Sequence, residues 1–135
     1  MKGIYLKSKK QIKCLLENGM VFLLKSVTSK FTSGVVKIWD GSKFDKTKRK
    51  VIGRGFLEFV DTIYVYPERE DDKQVVYVYP PDVVEWTKLS GFSSVKEWLE
   101  FEGVKLTLRK PKKMNVFVLY LKKIARRYRE VIGFE

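Results

Sequence analysis

The segment Val51–Tyr66 constrains the fold more than any other part of this sequence. It is rich in β-branched and aromatic residues and is therefore predicted to form one long or bent β-strand. Gly53 and Gly55 near its start indicate a bulge, or a point where another backbone comes close. A chain that contains such a strand is expected to fold around a β-sheet.

Further strands are predicted on both sides of this segment. Their residues are strand formers, and most are bounded by glycine, proline or polar turns. They are Met1–Lys7, Met20–Lys25, Val35–Trp39, Gln74–Tyr79, Lys105–Arg109 and Met114–Leu121. An acidic turn at Glu68–Asp72 connects the long strand to the one that follows it.

Two helices are predicted from their end signals. Ser8 is a suitable N-cap for a helix through Asn18, and Gly19 is well placed to end it. The residues Ser94–Glu97 fit a capping box, in which a serine hydroxyl and a glutamate carboxylate each bind a free amide of the helix end. This pattern predicts a helix from Val95 to about Phe101.

The last part of the chain is predicted to form an amphipathic helix. Its apolar face consists of Leu121, Ile124, Ala125 and Tyr128, and its basic face of Lys122, Lys123, Arg126, Arg127 and Arg129. Between the strands and this helix, Pro80-Pro81 should stop a strand, and Asp82 should cap a short turn through Trp86. The aromatic residues Trp86, Phe92 and Trp98 are assigned to the core.

The length of 135 residues and the hydrophobic fraction of 44% are those of one compact domain, spanning positions 1–135. Strands dominate, and alternating βαβ units are not evident. We therefore expect an α+β fold, in which helices flank a small β-barrel or a curved mixed sheet.

The charge of the chain points to an anionic partner. There are 28 Lys and Arg residues against 16 Asp and Glu, which gives a formal net charge of +12. A positive field of this size attracts polyanions and speeds their encounter with the protein. Between Lys105 and Arg129 there are ten basic residues and no acidic one. Nucleic acid is the preferred partner, and a solvated basic face, an anionic membrane surface and an acidic protein are the alternatives.

Two regions supply the predicted nucleic-acid contacts. The first is the loop Asp40–Lys50 and the strand after it, which contribute Lys43, Lys46, Lys48, Arg49, Lys50 and Arg54. The second is the basic carboxyl-terminal region, which contributes Lys110, Lys112, Lys113, Lys122, Lys123, Arg126, Arg127 and Arg129.

Aromatic rings next to these cations could stack on unpaired bases. Trp39 adjoins the basic loop and is the first candidate. The pairs Tyr64/Tyr66 and Tyr77/Tyr79 alternate along their strands, so each pair should point to one face of the sheet. The rim of the core is the favoured place for these tyrosines, and a stacking platform is the alternative.

Catalytic chemistry has few candidates in this sequence. The chain has no histidine, which removes the commonest general base and the commonest metal ligand. Cys14 is the only cysteine, so an intramolecular disulfide and cysteine-based zinc sites are excluded. Lys25 beside Ser26 is the best candidate for an activated nucleophile, with Glu58 as the nearest carboxylate candidate. No metal or cofactor is expected.

Several short phrases of the sequence resemble the PUA-like superfamily, in particular its ASCH branch and a related archaeal family. They are Leu15-Leu16-Glu17-Asn18-Gly19 with the strand ending in Lys25, Val51-Ile52-Gly53-Arg54-Gly55, Gly91-Phe92-Ser93-Ser94-Val95-Lys96-Glu97-Trp98, and Met114–Leu121. The resemblance implies a β-barrel with helices at its sides and a cleft that faces nucleic acid or a nucleoside. Members of this superfamily bind RNA or modified bases.

One enzymatic ASCH subgroup removes an acyl group from a modified cytidine with a Lys, a Thr and a Glu. Met20, Leu23 and Ser90 occupy the matching positions of this chain, so the resemblance does not extend to that activity.

Our hypothesis is therefore an RNA- or DNA-binding domain, with RNA favoured over DNA and binding favoured over catalysis. The alternative is a hydrolase or nuclease that acts on nucleic acid or on a modified nucleoside. No segment approaches the length that crosses a bilayer, and the amino end lacks the apolar stretch of a signal peptide. A cytoplasmic location is expected.

Overall fold

The computed structural model describes residues 2–105 and 110–132, with the side chains of all of these except 74 and 130–132. The elements in chain order are β1 (Lys2–Leu6), α1 (Lys9–Asn18), β2 (Met20–Ser26), β3 (Gly34–Asp40), β4 (Lys50–Glu70), β5 (Lys73–Tyr79), α2 (Val83–Leu89), α3 (Val95–Phe101), β6 (Lys112–Ile124) and α4 (Arg126–Ile132). The strand predicted at Lys105–Arg109 lies, except for Lys105, outside the described residues.

The strands form one mixed six-stranded sheet in the order β1-β3-β4-β6-β2, and β5 pairs with the far part of β4. β1 and β3 are parallel, and the other pairs are antiparallel. In the described residues β1 and β2 do not pair with each other, so the mixed sheet is present and the expected barrel is not. The free edge of β2 is instead occupied by Ser90, whose hydroxyl accepts a hydrogen bond of 2.9 Å from the Phe22 amide.

Helices cover both faces of this sheet, so the protein has two hydrophobic cores. The first core packs α1 and α4 on one face and includes Ile12, Leu15, Leu57, Leu119 and Tyr128. The second core packs α2 and α3 on the other face and includes Ile63, Val116, Trp86, Phe92 and Trp98, as predicted for these three aromatic residues. Burial from both sides explains why Val116, Phe117, Val118 and Leu119 are all buried in succession on β6.

The predicted helix ends are present in α1 and α3. The Ser8 hydroxyl accepts a hydrogen bond from the Gln11 amide, and the Ser94 hydroxyl accepts one of 3.1 Å from the Glu97 amide. The Glu97 carboxylate instead accepts hydrogen bonds from the Ser93 hydroxyl and, at 3.3 Å, from Lys10 on α1. This ion pair connects α1 to α3 across the edge of the sheet.

The segment after Pro80-Pro81 is more regular than predicted. It forms the helix α2, which continues beyond Trp86 to Leu89. Asp82 lies at the N-cap position, but its side chain makes no capping hydrogen bond. None of the described helices is long and apolar enough to span a membrane.

The amphipathic helix predicted from Leu121 onward is wrong in its first half. Leu121, Lys122, Lys123 and Ile124 belong to β6, and α4 begins only at Arg126. In this segment β6 stays paired with β4, with Gly53 opposite Ile124 and Arg54 opposite Lys123. Strand pairing overrides a helical spacing when the partner strand is already in place.

The pairing of β4 with β6 depends on the absence of a side chain at Gly53. A Cβ atom placed there would lie 1.9 Å from the carbonyl oxygen of Lys123. The register also shifts between Arg54 and Gly55, so both predicted roles of the two glycines, a bulge and a close backbone approach, are present. The close approach brings the end of β6 and the start of α4 beside the start of β4.

Replacement of Gly53 by alanine should therefore lower the free energy of unfolding by roughly 2 to 3 kcal/mol, because a backbone carbonyl cannot move aside cheaply. Gly103→Ala is the matched control. Gly103 has a φ of 83° and open space around it, so its replacement should cost only about 1 kcal/mol of backbone strain. Urea denaturation measures both values, and equal losses would contradict the close-approach account.

Candidate nucleic-acid interface

An aromatic platform lies where β1 and β3 run side by side. Parallel pairing places Tyr5 beside Trp39, and their rings are nearly parallel, with centroids 6.1 Å apart and planes at 9°. The guanidinium carbon of Arg49 lies 4.3 Å from the Trp39 centroid and 5.6 Å from that of Tyr5. The Nζ atom of Lys37 lies 4.6 Å from the Trp39 centroid. Two cations therefore rest on an indole whose face attracts positive charge.

The loop between β3 and β4 holds Arg49 in this place. The Asp45 carboxylate accepts hydrogen bonds from the Thr47 hydroxyl, at 2.8 Å, and from the Lys48 amide, at 3.3 Å. The Arg49 guanidinium donates to the carbonyl oxygen of Lys43, also at 3.3 Å. These bonds close the loop into turns and return the chain to the platform, while the loop lysines stay exposed, as predicted.

Two adjoining cavities lie beside the platform. One, of about 550 Å³, is lined by Trp39 and by residues of α4, and the other, of about 500 Å³, lies between β3, β4 and the end of β6. They share Val51 and Ala125, and together we call them the basic groove. Its basic lining residues are Lys37, Arg49, Lys50, Arg54, Lys123, Arg126 and Arg127. Among the described residues that line the groove, none is acidic.

Tyr128 fixes α4 against this groove. Its side chain is buried, and its hydroxyl donates a hydrogen bond of 3.1 Å to the Asp40 carboxylate at the end of β3. Burial, together with the neighbouring Asp40 charge, raises the pKa of Tyr128 to about 12. The hydroxyl thus stays protonated as a donor, and Arg126 and Arg127 on the same helix line the groove.

The structure brings together only part of the predicted contact set. Its members in the groove are Trp39, Arg49, Lys50, Arg54, Lys123, Arg126 and Arg127. Lys43, Lys46 and Lys48 are exposed on the adjoining loop, and Arg129 is exposed on α4. Lys122 is also exposed, with its Nζ atom 5.3 Å from the Tyr120 ring centroid.

The other predicted lysines lie far from the groove. Lys112 and Lys113 are at the beginning of β6, where they pair with Val65 and Tyr64 in the far part of β4. Lys123 is eleven positions further along the same strand, which corresponds to roughly 35 Å at strand geometry. Lys110 precedes β6 and belongs to the distant group as well. We call Lys110, Lys112 and Lys113 the distal lysines.

Two residues of the interface were not among the predicted contacts. Lys37 precedes Trp39 by two positions on β3. Residues two apart on a strand point to the same face, so the sequence could have placed Lys37 beside Trp39. Tyr5 carried no such signal, because its position beside Trp39 depends on the pairing of β1 with β3.

The four strand tyrosines occupy one exposed sheet face. Tyr66 is opposite Tyr77, and Tyr64 is opposite Tyr79. The exposed fractions are 39% for Tyr66, 43% for Tyr77 and 61% for Tyr79, and Tyr64 is half-buried, so the rings are open to solvent to different degrees. The Tyr77 hydroxyl donates to the Glu70 carboxylate, and this acidic neighbour distinguishes the tyrosine face from the basic groove.

The catalytic candidates Lys25 and Glu58 lie on opposite faces of the sheet. Lys25 follows the first-core residue Leu23 by two positions on β2, and its Nζ atom is 4.4 Å from the centroid of Phe31 beside that core. Glu58 is exposed and opposite Val118 of the second core. The two side chains therefore cannot act on one substrate group.

Lys25 has a different carboxylate neighbour, Glu102 at the end of α3. Burial raises the pKa of Glu102 to about 7, against the opposing effects of the Lys25 charge and of a hydrogen bond from the Leu24 amide. Burial also lowers the pKa of Lys25. Glu102 accepts a hydrogen bond from the Leu24 amide at the free edge of β2. Satisfying this edge explains the position of Glu102 without a catalytic role.

Within the described part of the chain, no group of three or more His, Cys, Asp or Glu side chains is placed to hold a metal ion. Comparison of the chain with family models, with characterised proteins and with solved structures gives no match. The geometry of the basic groove is therefore the basis for a functional proposal.

Glu102→Gln should change how stability depends on pH. The pKa of Glu102 is about 7 in the folded protein against an ordinary value of 4.5, so the folded state holds this proton more tightly than the unfolded state does. The free energy of unfolding of the parent should therefore fall between about pH 4.5 and 7, by up to about 3 kcal/mol. The variant should lack this fall.

Urea denaturation at a series of pH values measures the difference. Glu100→Gln, at an exposed position of the same helix, is the control and should keep the parent's pH dependence. Identical slopes for the parent and Glu102→Gln would contradict the burial of this carboxyl group.

Proposed function

We propose that this protein binds single-stranded nucleic acid, with RNA as the preferred partner, in the basic groove. The observation that carries the proposal is the convergence of seven basic side chains, from the β3–β4 loop, three strands and α4, around the platform of Tyr5 and Trp39. Lys37, Arg54 and Lys123 lie side by side on three neighbouring strands, and an anion bound there would reduce their mutual repulsion.

The chemistry of the groove suits a nucleotide chain. Lys and Arg side chains bind phosphates and release the counterions that surround a polyanion. Aromatic rings stack on unpaired bases and tolerate any base, because each base has a π face. In the groove, the guanidinium carbon of Arg49 and the Nζ atom of Lys37 lie 4.3 and 4.6 Å from the Trp39 ring centroid. Phosphate-binding cations and a stacking ring are therefore close together.

The size of the two cavities favours unpaired nucleotides over a duplex. Each is of the order of 500 Å³, which lies in the range of small-ligand sites. A base that stacks on Trp39 must first leave its own stack, and this costs least in a single strand. The preference for RNA over DNA follows from the resemblance to the PUA-like superfamily, whose members bind RNA or modified bases.

The distribution of charge along the chain would orient a polyanion toward the groove. Eleven of the 16 acidic residues, but only four of the 28 basic residues, lie between positions 58 and 102. This stretch has a net charge of −7, and the rest of the chain has +19. The distal lysines lie beside this acidic stretch, at the far part of β4, and partly neutralise it, so the groove keeps the stronger attraction for a polyanion.

The hydrolase alternative receives less support. Lys25 and Glu58 lie on opposite faces of the sheet, and Glu102 is explained by the edge of β2. The lowered pKa of Lys25 is the one observation in its favour. Inspection of the oligomer on a gel after each binding experiment separates the two functions, because a nuclease shortens its substrate.

Removal of three groove charges should weaken binding far more than removal of three distal charges. The test variant replaces Lys37, Arg54 and Lys123 by Gln, and the control replaces the distal lysines by Gln. Fluorescence polarisation with a labelled single-stranded RNA, measured across a salt series, gives affinity and its salt dependence. The groove variant should reduce the slope of log K against log salt by about 2, and the distal variant should leave it unchanged.

Equal losses for the two triple variants would contradict the proposed site, because they would show that net charge alone determines affinity. Cleavage of the labelled RNA by the parent protein would instead favour the hydrolase.

Trp39→Ala should weaken binding through loss of stacking, by about fivefold or more. Trp39→Phe keeps an aromatic face and should retain most of the affinity. Since the charge of the groove is the same in both variants, the salt dependence should stay that of the parent. Equal affinity of the alanine variant and the parent would exclude Trp39 as a stacking residue.

A further inference from the structure

Among the described residues, the outer edge of β5 has no strand partner. β5 pairs with β4 along one edge, and no other strand in the described part of the chain pairs with it. Lys73 at its start is its one charged residue; Val75–Tyr79 are all β-branched or aromatic, and the strand contains no proline. Natural sheets usually block such an edge, because its free amides and carbonyls invite another strand. An unblocked edge is the surface used when a peptide adds a strand to a sheet.

An apolar cavity lies beside this edge. Its volume is about 720 Å³, and it is enclosed by β5, the Pro80-Pro81 segment, α2 and α3. Val76, Val78 and Leu99 contribute to its lining, and Val84 on its border is 51% exposed. Side chains from one face of an added strand would find an apolar environment here.

The opposite face of β5 offers contacts for cations. It carries the exposed rings of Tyr77 and Tyr79, and Glu68 and Glu70 lie on the paired part of β4. Two lysines of the chain already lie on this face: the Nζ atom of Lys113 is 5.3 Å from the Tyr64 centroid, and Lys73 is opposite Glu70. Ring faces and carboxylates together bind ammonium and guanidinium groups.

The charge of the surroundings also selects a cationic partner. The segment from Glu68 to Phe101, which contains the β4–β5 turn, β5, α2 and α3, has eight acidic and four basic residues and therefore a net charge of −4. A second copy of this chain has a net charge of +12, but only its basic parts would be attracted to this surface.

We propose that the edge of β5 binds an extended segment of a partner protein in which apolar and basic side chains alternate. The backbone of the segment pairs with β5, its apolar side chains enter the cavity, and its basic side chains lie over the tyrosines and glutamates. This surface is separate from the basic groove, and the inference does not depend on nucleic-acid binding.

The probe for this surface is a labelled peptide of alternating Lys and Val, of about the length of β5. Two control peptides isolate the causes. One has the same composition with all Val residues before all Lys residues, and the other alternates Glu and Val. Fluorescence polarisation with the full chain at physiological salt should give saturable binding of the alternating Lys/Val peptide, at least about tenfold tighter than binding of either control.

Two variants locate the site. Val84→Lys places a cation in the cavity, and Tyr79→Ala removes the most exposed ring of the face; each should weaken peptide binding by about tenfold. Val35→Lys is the matched control, because Val35 lies on β3 and is 57% exposed, close to the value for Val84. It should bind the peptide as the parent does, and thermal melts should show that all three variants fold.

Equal binding of the two Lys/Val peptides would overturn the proposal, because attraction of charge alone would explain it. So would the absence of saturable binding, or unchanged affinity in both site variants. Sedimentation that detects a dimer of the parent, dissolved by Val84→Lys but not by the peptide, would assign the edge to a second copy of this chain instead.

Discussion

The structure depends on the pairing of β4, which borders three other strands. Its first part lies between β3 and β6, and its last part, from Tyr66 to Glu70, pairs with β5 alone. The approach of β6 to Gly53 fixes this arrangement, since any side chain there would collide with the Lys123 carbonyl. This one long strand thus carries the basic groove at its beginning and the hairpin with β5 at its end, and it keeps the two surfaces apart.

The two ends of β4 have opposite characters. At its beginning, β3, the end of β6 and α4 form the basic groove around Trp39. At its end, the hairpin with β5 carries exposed tyrosines, carboxylates and an open strand edge. The net charge of +12 is unevenly distributed, because residues 58–102 carry −7 and the rest of the chain +19, although the distal lysines lie at the acidic end of β4. The proposed polyanion groove and the proposed site for a cationic segment thus lie at opposite ends of β4.

Local signals were sufficient to predict most elements, whereas contacts between elements were not predictable. The caps at Ser8 and Ser94 act through neighbouring residues, so the sequence contains their cause. The spacing of Leu121 and Ile124 suits a helix equally well, and only the partner strand decides that they are part of β6. The platform of Tyr5 and Trp39, and the burial of Glu102, arise from parts of the chain that are distant in sequence. Of the candidate site, charge and Trp39 were predictable, but the separation of the distal lysines from the groove was not.

The most direct test of the account is to locate the bound nucleic acid by photocrosslinking. A thiouridine-substituted single-stranded RNA is irradiated with the intact protein, and the crosslinked peptides are identified by mass spectrometry. We predict adducts on β1, β3 and the beginning of β4, centred on Tyr5 and Trp39. Adducts concentrated instead on Tyr66, Tyr77 and Tyr79 of the β4–β5 hairpin would contradict the central claim, because they would place the nucleic acid on the acidic part of the protein.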